Sequence, residues 1–147
     1  MSTFHSINLH ITCSTKHRKP WIKDEWIARL HEYLGGIANQ LGGKPLKIGG
    51  VEDHVHLLIG FKPTHRLSDF MRELKKSSSK WVHETIHFPP FGWQEGYAAF
   101  SVSPPSCKAV SGYIANQREH HRTRSFQDEL TSMLDEAGIE YDPKYLE

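Results

Sequence analysis

An α+β fold is predicted for this chain: a ferredoxin-like or RRM-like split β-α-β sandwich, with an antiparallel sheet and helices on one face. The first supporting observation is four short β-rich segments, and the second is two long segments whose apolar residues recur at helical spacing. The third is their order, βαββαβ. Two more helical segments follow, so we expect a C-terminal helix that carries Tyr113 and one further helix.

The first strand and the first helix are indicated by two different periodicities. Between Phe4 and Cys13, apolar and polar residues alternate, which is typical of a strand with one covered face. Asp24 is a residue type that caps helix N-termini, and Gly42-Gly43 is a typical stop. Between them lies an apolar stripe at helical spacing, formed by Ile27, Leu30, Leu34, Ile37 and Leu41.

A hairpin and a second long helix are predicted in the middle of the chain. The β-rich runs 45–51 and 54–61 are separated only by Glu52-Asp53, which favours a tight turn. A helix is expected from about Leu67 to Ile86, and Pro89-Pro90 ends it. Its apolar stripe consists of Leu67, Phe70, Leu74, Trp81 and Thr85.

The last strand and two C-terminal helices complete the prediction. The strand covers Gly96 to Val102. Ser103-Pro104-Pro105 favours a helix start, because proline is tolerated in the first turn, and this helix carries Tyr113. Ser125 and Asp128 form a pair similar to a capping box before the final helix.

Length and composition are those of a soluble globular protein. The 147 residues suffice for one domain, which we expect to span residues 1–147. Hydrophobic residues make up 37% and charged residues 24%, which argues against disorder and fibrous architectures. The sequence has no apolar run of about 18 residues and no signal-peptide pattern, so a cytoplasmic location is expected. Cys13 and Cys107 lack the spacing of a zinc or redox motif.

The charge is distributed unevenly. The formal net charge is +1, but residues 128–147 contain seven acids against Lys144 alone. Residues 1–127 hold 17 bases and 10 acids, a net charge of +7, which suits a nucleic-acid partner. For any single basic cluster, an ordinary solvated surface remains the alternative. The clusters are 16–19, then Lys75, Lys76 and Lys80, and finally the basic residues of 118–124.

Two histidines share one face of a predicted strand. Along the segment 53–59, His54 and His56 alternate with Val55, Leu57 and Ile59. If the aliphatic residues pack under the helices, both imidazoles lie on the less covered side of the sheet. Two neutral imidazoles on a rigid strand suit a divalent metal, whereas two solvent-facing histidines are the plain alternative.

A tyrosine and a glutamine are predicted on one helix face. Tyr113 and Gln117 are four residues apart, so one helix would present a nucleophile and an amide oxygen together. Gln117 is a candidate third metal ligand beside the histidines, in a site suited to Mg²⁺ or Mn²⁺. The alternative is a core tyrosine and a surface amide.

Motifs along nearly the whole chain support a family resemblance. They are His10-Ile11-Thr12, Asp53-His54-Val55-His56-Leu57-Leu58, Leu74-Lys75-Lys76-Ser77-Ser78-Ser79-Lys80-Trp81, Trp93-Gln94-Glu95-Gly96-Tyr97, Phe100-Ser101-Val102-Ser103, and Tyr113-Ile114-Ala115-Asn116-Gln117 followed by His120-His121-Arg122. In this order they resemble the single-tyrosine HUH transposases of small bacterial and archaeal insertion sequences. These IS200-like transposases belong to the HUH endonuclease group.

The resemblance implies a specific reaction. Tyr113 would attack single-stranded DNA, form a 5′-phosphotyrosine and release a free 3′-hydroxyl, and a later 3′-hydroxyl attack would rejoin strands in a new order. A divalent metal, Mg²⁺ or Mn²⁺, would neutralise the scissile phosphate. The resemblance also implies a DNA hairpin near the element ends as partner, and homodimers in which the tyrosine helix of one subunit serves the histidine pair of the other.

Further residues are expected to assist. The pKa of a free phenol is near 10, so either the metal site or a neighbouring base must help to remove its proton. His10 and His121 are the accessory candidates for that base. Basic residues expected to contact the DNA backbone are Lys16, Arg18, Lys75, Lys76 and Lys80.

Two alternatives to the transposase remain open. A zinc-dependent hydrolase would use the histidines and a bound water, and would form no protein–DNA adduct. A non-catalytic nucleic-acid-binding protein of the same fold would bind without needing a metal.

Overall fold

The computed structural model of the protein describes residues 1–146, and Glu147, the last acid of the C-terminal acidic segment, lies outside the described residues. Four strands form one sheet in the order β2-β3-β1-β4, with every neighbouring pair antiparallel. This confirms the predicted α+β split β-α-β sandwich. The strands are β1 Ile7–Ser14, β2 Lys44–Val51, β3 His54–Phe61 and β4 Ala98–Ser101.

Helices cover both faces of the sheet. The two helices between strands lie on one face, as predicted, and the C-terminal helices lie on the opposite face. No helix within residues 1–146 combines the length and the apolar character needed to cross a membrane. The helices are α1 Ile27–Gln40, α2 Leu67–Trp81 with a π-helical extension Val82–Ile86, α3 Cys107–Ala115, α4 Gln117–His120 and α5 Phe126–Glu136.

The main core lies between the sheet and helices α1 and α2. Alternate residues of β1 and β3 point into it, because side chains of a strand alternate between the two faces of a sheet. Burial of these side chains is the main favourable term that holds the two helices on the sheet. The fully buried members include Ile11, Val55, Leu57, Ile59, Leu30, Leu34 and Leu74.

Gly49 on β2 allows the C-terminal helices to approach the sheet closely. A Cβ atom at this position would lie 2.6 Å from the carbonyl oxygen of Ile114 and 3.0 Å from its Cγ2. Ile114 belongs to α3 and directly follows Tyr113. The absence of a side chain at Gly49 therefore positions the helix that carries the tyrosine.

Two predicted element starts are wrong, for physical reasons. The first strand begins at Ile7, not Phe4, because Ile7 pairs with Phe61, the last residue of β3, and the ladder ends there. Asp24 does not cap the first helix. The helix begins at Ile27 after Trp26, whose ring is buried and packs against Phe91, while the carboxylate of Asp24 accepts a hydrogen bond from Arg118.

Two further expectations also fail. The helix that carries Tyr113 does not continue to Gln117, since Asn116 interrupts it with non-helical angles (φ −102°, ψ 24°). The histidine face of the sheet is not open, because the C-terminal helices pack over it and leave His54 and His56 without exposed surface. By contrast, Ser125 caps α5 as predicted, accepting a hydrogen bond from the backbone N–H of Asp128.

Candidate active site

The histidine pair lies at the centre of the sheet on β3. On one side of β3, pairing with β1 sets Thr12 opposite His56 and Ser14 opposite His54. On the other side, β3 pairs with β2. Both imidazoles point to the face opposite the main core, as the alternation indicates. Strands on both sides make the spacing between the two rings rigid.

A carboxylate from α5 meets both histidines. Oε1 of Glu129 lies 2.8 Å from Nε2 of His56, 3.3 Å from Nε2 of His54 and 3.1 Å from Nε2 of His121. Only 1% of Glu129 is exposed. One ligand atom from each of these four residues lies within 4.8 Å of every other, which is the grouping expected of a metal centre.

Gln117 completes this cluster. Its amide Nε2 donates a hydrogen bond to Oε2 of Glu129 at 3.1 Å, which sets the orientation of the amide. Its Oε1 therefore faces Nε2 of His54, at 3.1 Å. Although the helix breaks at Asn116, the side chain expected to be the third ligand reaches the histidines.

The tautomers of two imidazoles follow from their outer partners. Nδ1 of His54 lies 2.7 Å from a carboxylate oxygen of Asp53, and Nδ1 of His121 lies 2.6 Å from the carbonyl oxygen of Arg124. Both partners only accept hydrogen bonds, so each Nδ1 carries a proton, and each Nε2 offers a lone pair to the cluster when its ring is neutral. Nε2 of His121 is buried and makes no hydrogen bond within the described residues.

The chemistry of this donor set fits a divalent metal. Lone pairs of His54, His121, Gln117 and Glu129 converge, and such lone pairs repel one another unless a cation or a proton lies between them. Imidazole nitrogens with carboxylate and amide oxygens bind Mn²⁺ and Zn²⁺, and the oxygens also suit Mg²⁺. The residues present therefore fit the metal that the family resemblance implies.

The ionisation of the cluster supports this assignment. Burial opposes ionisation of Glu129, but the adjacent imidazoles of His121, His54 and His56 outweigh it and hold the pKa of Glu129 well below its usual range. Burial also opposes protonation of His54, but Asp53 and Glu129 raise its pKa to about 9. Burial lowers the pKa of His56. Glu129 is therefore ionised at neutral pH, and its negative charge attracts a positive charge to the cluster, either a proton on an imidazole or a metal cation.

The hydroxyl of Tyr113 reaches the same carboxylate. It donates a hydrogen bond to Oε2 of Glu129 and lies 3.3 Å from Nε2 of His120. The rings of Tyr113 and His56 are 5.8 Å apart. Burial and the hydrogen bond to Glu129 raise the pKa of Tyr113, so its proton is retained at neutral pH and directed at Glu129.

The two accessory histidines take different places. Nε2 of His10 lies 2.8 Å from Nδ1 of His56, and burial with the nearby His56 lowers the pKa of His10 to about 4. A neutral His10 therefore orients His56. His121 faces the donor cluster itself. Within residues 1–146, the Tyr113 hydroxyl forms hydrogen bonds with Glu129 and His120, and with neither His10 nor His121.

The five basic residues expected at DNA differ in availability. Lys16, Lys76 and Lys80 are exposed. Lys75 is half-buried, and its ammonium group donates to the carbonyl oxygens of Gln94 and Gly96. Arg18 donates to Oε1 of Gln127 on α5 at 2.9 Å.

Glu129 is the member of the site that sequence reasoning missed, because it was counted with the acidic C-terminal segment. A signal was present, since Glu129 lies three residues after Phe126 and five before Leu134 on the apolar side of α5. An acid within an apolar stripe indicates a buried carboxylate that needs a partner.

Comparisons with known proteins agree on one family. The family described as "Transposase IS200 like" matches residues 3–117. The ISDra2 transposase TnpA of Deinococcus radiodurans is 24% identical over 123 residues, which are 78% of this chain and 86% of that protein. The match to the family ends at Gln117, so His121, α5 and Glu129 lie beyond it.

Two solved structures are similar to this one. A transposase of Deinococcus radiodurans R1 has a TM-score of 0.63 and 28% identity, over 80% of this chain and 95% of that one. A REP-associated tyrosine transposase bound to a REP hairpin has a TM-score of 0.60 over 87% of this chain and 79% of that one. Its 14% identity makes this second likeness one of fold.

Proposed function

Because this chain belongs to the IS200-like transposase family, it is a DNA transposase, and we propose that it cuts and rejoins single-stranded DNA at insertion-sequence ends through a 5′-phosphotyrosine on Tyr113. One observation supports this proposal above the others. The hydroxyl of Tyr113 and the imidazoles of His54 and His56 contact a single carboxylate, that of Glu129. A nucleophile and a candidate metal centre are therefore adjacent in one chain.

The proposed first step is a transfer of the phosphodiester to the tyrosine. The phenolic oxygen of Tyr113 forms a bond to the scissile phosphorus, and the bond from phosphorus to the 3′-oxygen breaks. The phenolic proton is released to solvent, and the hydrogen bond to Oε2 of Glu129 orients the hydroxyl for this step. The released 3′-oxygen takes up a proton and becomes a free 3′-hydroxyl. A later attack by a 3′-hydroxyl on the phosphotyrosine reverses these bond changes and rejoins DNA.

A divalent metal, Mg²⁺ or Mn²⁺, is proposed to be held by His54, His56 and Gln117, with Glu129 and His121 within reach of the same position. When bound, it would neutralise charge on the scissile phosphate. The chain's own contribution is orientation. Asp53 holds the ring of His54, and the main chain at Arg124 holds that of His121.

The proposed partner is single-stranded DNA with a hairpin near the element ends. The proposed location of the protein is the cytoplasm. Support comes from the family and from the similar transposase that is bound to a REP hairpin. Lys16, Lys76 and Lys80 are exposed and free to meet backbone phosphates. We propose no such role for Lys75, whose ammonium group is occupied by backbone carbonyls.

We propose that the protein forms a homodimer. Residues from a second subunit are not needed to assemble the active site described above. In the single chain, Tyr113 lies beside its own His56 and Glu129. A mixture of Tyr113→Phe and His54→Ala subunits tests the point. Recovered cleavage in mixed dimers indicates sharing between subunits, and continued inactivity indicates sites formed within one chain.

A zinc-dependent hydrolase is the second candidate, because three imidazoles and a carboxylate also suit Zn²⁺. The two proposals are separated by incubating end-labelled single strands that carry the element ends with the protein and Mg²⁺ or Mn²⁺. The transposase leaves a slowed, protein-linked band on a denaturing gel, which duplex DNA does not form. The band should vanish with Tyr113→Phe and persist with the control Tyr145→Phe. Cleavage without a linked band supports the hydrolase.

A further inference from the structure

A cavity of about 440 Å³ opens beside the hydroxyl of Tyr113. It lies between β4, α3 and α5, which contribute Phe100, Val110 and Met133 to its walls. Tyr113 and Glu129 form part of its lining. The volume lies within the range of roughly 300–1,000 Å³ found for small-molecule sites.

The walls of this cavity suit a flat aromatic ligand with a charged end. Phe100 and Met133 are half-buried and present apolar surface. The guanidinium of Arg124 also lines the cavity, held by the carbonyl oxygen of Asp128 at 3.0 Å and by the hydroxyl of Ser132 at 2.5 Å. The rest of the lining is mixed, with apolar side chains beside polar ones that include the carboxylates of Glu129 and Glu136. A fixed guanidinium suits a phosphate.

We propose that this cavity binds the nucleoside on the 3′ side of the scissile phosphate, the one whose 5′-phosphate becomes linked to Tyr113. The inference rests on the proposed function. In an in-line displacement the leaving 3′-oxygen lies on the far side of phosphorus from the attacking oxygen, so the leaving nucleoside points away from the tyrosine. The nucleoside that stays attached is the one able to enter a cavity on the tyrosine's own side.

Phe100 is the residue that would recognise the base. Its position on β4 is fixed by pairing with His10 of β1, and the two rings lie 6.3 Å apart. Stacking of a base on an aromatic side chain is tolerant of sequence and strengthens binding by about 5-fold or more. Arg124, Ser132 and Met133 lie beyond the residues that match the family, so this part of the cavity wall is contributed by the chain's own C-terminal segment.

A binding experiment with mononucleotides tests the cavity directly. The protein with Mg²⁺ is titrated with the four deoxynucleoside 5′-monophosphates and, as the baseless control, with deoxyribose 5-phosphate. Binding is followed by the methyl NMR signals of the three methionines. The Met133 signal should shift and saturate, while that of Met71, buried in the main core, stays in place. Nucleotides should bind at least about 5-fold more tightly than the sugar phosphate.

Variants localise the binding. Val110→Trp fills the cavity and Phe100→Ala removes the stacking surface, and each should weaken nucleotide binding by about 5-fold or more. Ala109→Trp adds the same bulk to the same helix at an exposed position outside the lining, and should leave binding unchanged. An unmoved Met71 signal shows that each variant keeps its core. Equal binding of nucleotides and deoxyribose 5-phosphate, or full binding by both Val110→Trp and Phe100→Ala, overturns the proposal.

The inference and the proposed function fail in different ways. Tyr113→Phe should lose the covalent band, which tests the chemistry and not the cavity. If nucleotides shift Met133 but no protein–DNA band ever forms, the cavity stands and the tyrosine chemistry is wrong. If the band forms and nucleotides leave Met133 unmoved, the cavity assignment is wrong and the chemistry stands.

Discussion

The hydroxyl of Tyr113 donates a hydrogen bond to the carboxylate of Glu129, a residue sixteen positions further along the chain. The other oxygen of that carboxylate lies 2.8 Å from Nε2 of His56. One side chain therefore connects the nucleophile to the imidazole cluster, and it comes from α5 rather than from the sheet. The position of α5 thus affects both parts of the site.

Glu129→Gln should weaken metal binding by at least about 10-fold, the lower end of the loss caused by removing an outer-shell partner. The reason is that the converging lone pairs would face a neutral amide instead of a carboxylate. Calorimetric titration with Mn²⁺ measures the change. Glu136→Gln alters an exposed acid on the same helix and should bind as the unaltered protein does. Equal affinity in both variants would remove Glu129 from the metal centre.

Asp53→Ala should weaken metal binding by about 10- to 100-fold through His54, the member of the cluster that is hydrogen-bonded to Asp53. Its carboxylate fixes the proton of His54 on Nδ1, and without it the ring is free to turn or to change tautomer. The same titration tests this, with Glu52→Ala as the exposed neighbour in the turn. An unchanged affinity would show that β3 alone orients the imidazole.

Gly49→Ala should displace the tyrosine helix. The added methyl group would meet the Ile114 carbonyl oxygen at 2.6 Å, so α3 must move away from β2. We expect a stability loss of about 1–3 kcal/mol and a fall of roughly 10-fold or more in the rate of adduct formation, because misplacement of about 1 Å costs up to 100-fold. Denaturant unfolding and gel kinetics measure the two effects.

The control for that change is Gly112→Ala on the same helix. A Cβ atom there would have nothing within 4 Å, and alanine stabilises a helix interior by roughly 0.5–1 kcal/mol relative to glycine. Adduct formation should remain at its original rate. If both glycine variants behave alike, close packing of α3 on β2 is not what positions Tyr113.

Much of the fold was predictable from local patterns. Alternation in β1 and β3 and helical spacing in α1 and α2 are encoded within single segments, and with them the antiparallel split β-α-β sandwich followed from a known architecture. The start of α1 was not predictable from local patterns. Trp26 occupies the position before the helix and is buried against Phe91, which lies far along the chain. Such tertiary contacts override a capping preference.

The site was predictable only in part, for a related reason. The alternation that brings His54 and His56 to one face lies within one strand. The burial of that face depends on where α5 packs, and no local pattern reports this. Glu129 had a signal in its own helix, an acid on an apolar stripe, but its partners are 73 and 75 residues away along the chain. Only the folded chain brings them together.

Acid should destabilise the protein in part through His31 on α1. Burial lowers the pKa of His31 to about 4 from an ordinary value of 6.5, and the charge of Lys47 acts in the same direction. Between these two pH values the unfolded chain binds a proton that the folded chain does not, so stability falls as the pH falls. Nε2 of His31 is buried without a hydrogen-bond partner among residues 1–146, which agrees with this burial.

His31→Gln should therefore make the loss of stability between pH 6.5 and pH 4 less steep. The two slopes of unfolding free energy against pH should differ by at most the contribution of one proton, about 1.4 kcal/mol per pH unit. Denaturant unfolding at several pH values gives both slopes. An identical slope in the variant would show that His31 is protonated as readily in the folded protein as in the unfolded one.

Peptide mapping of the protein–DNA complex shows whether Tyr113 becomes covalently linked to DNA. The protein is incubated with single strands of the element ends and Mg²⁺ or Mn²⁺, digested with nuclease and protease, and analysed by mass spectrometry. We expect a nucleotide attached through a 5′-phosphate to the peptide that contains Tyr113. Attachment to any other residue, or efficient cleavage with every tyrosine peptide unmodified, would contradict it.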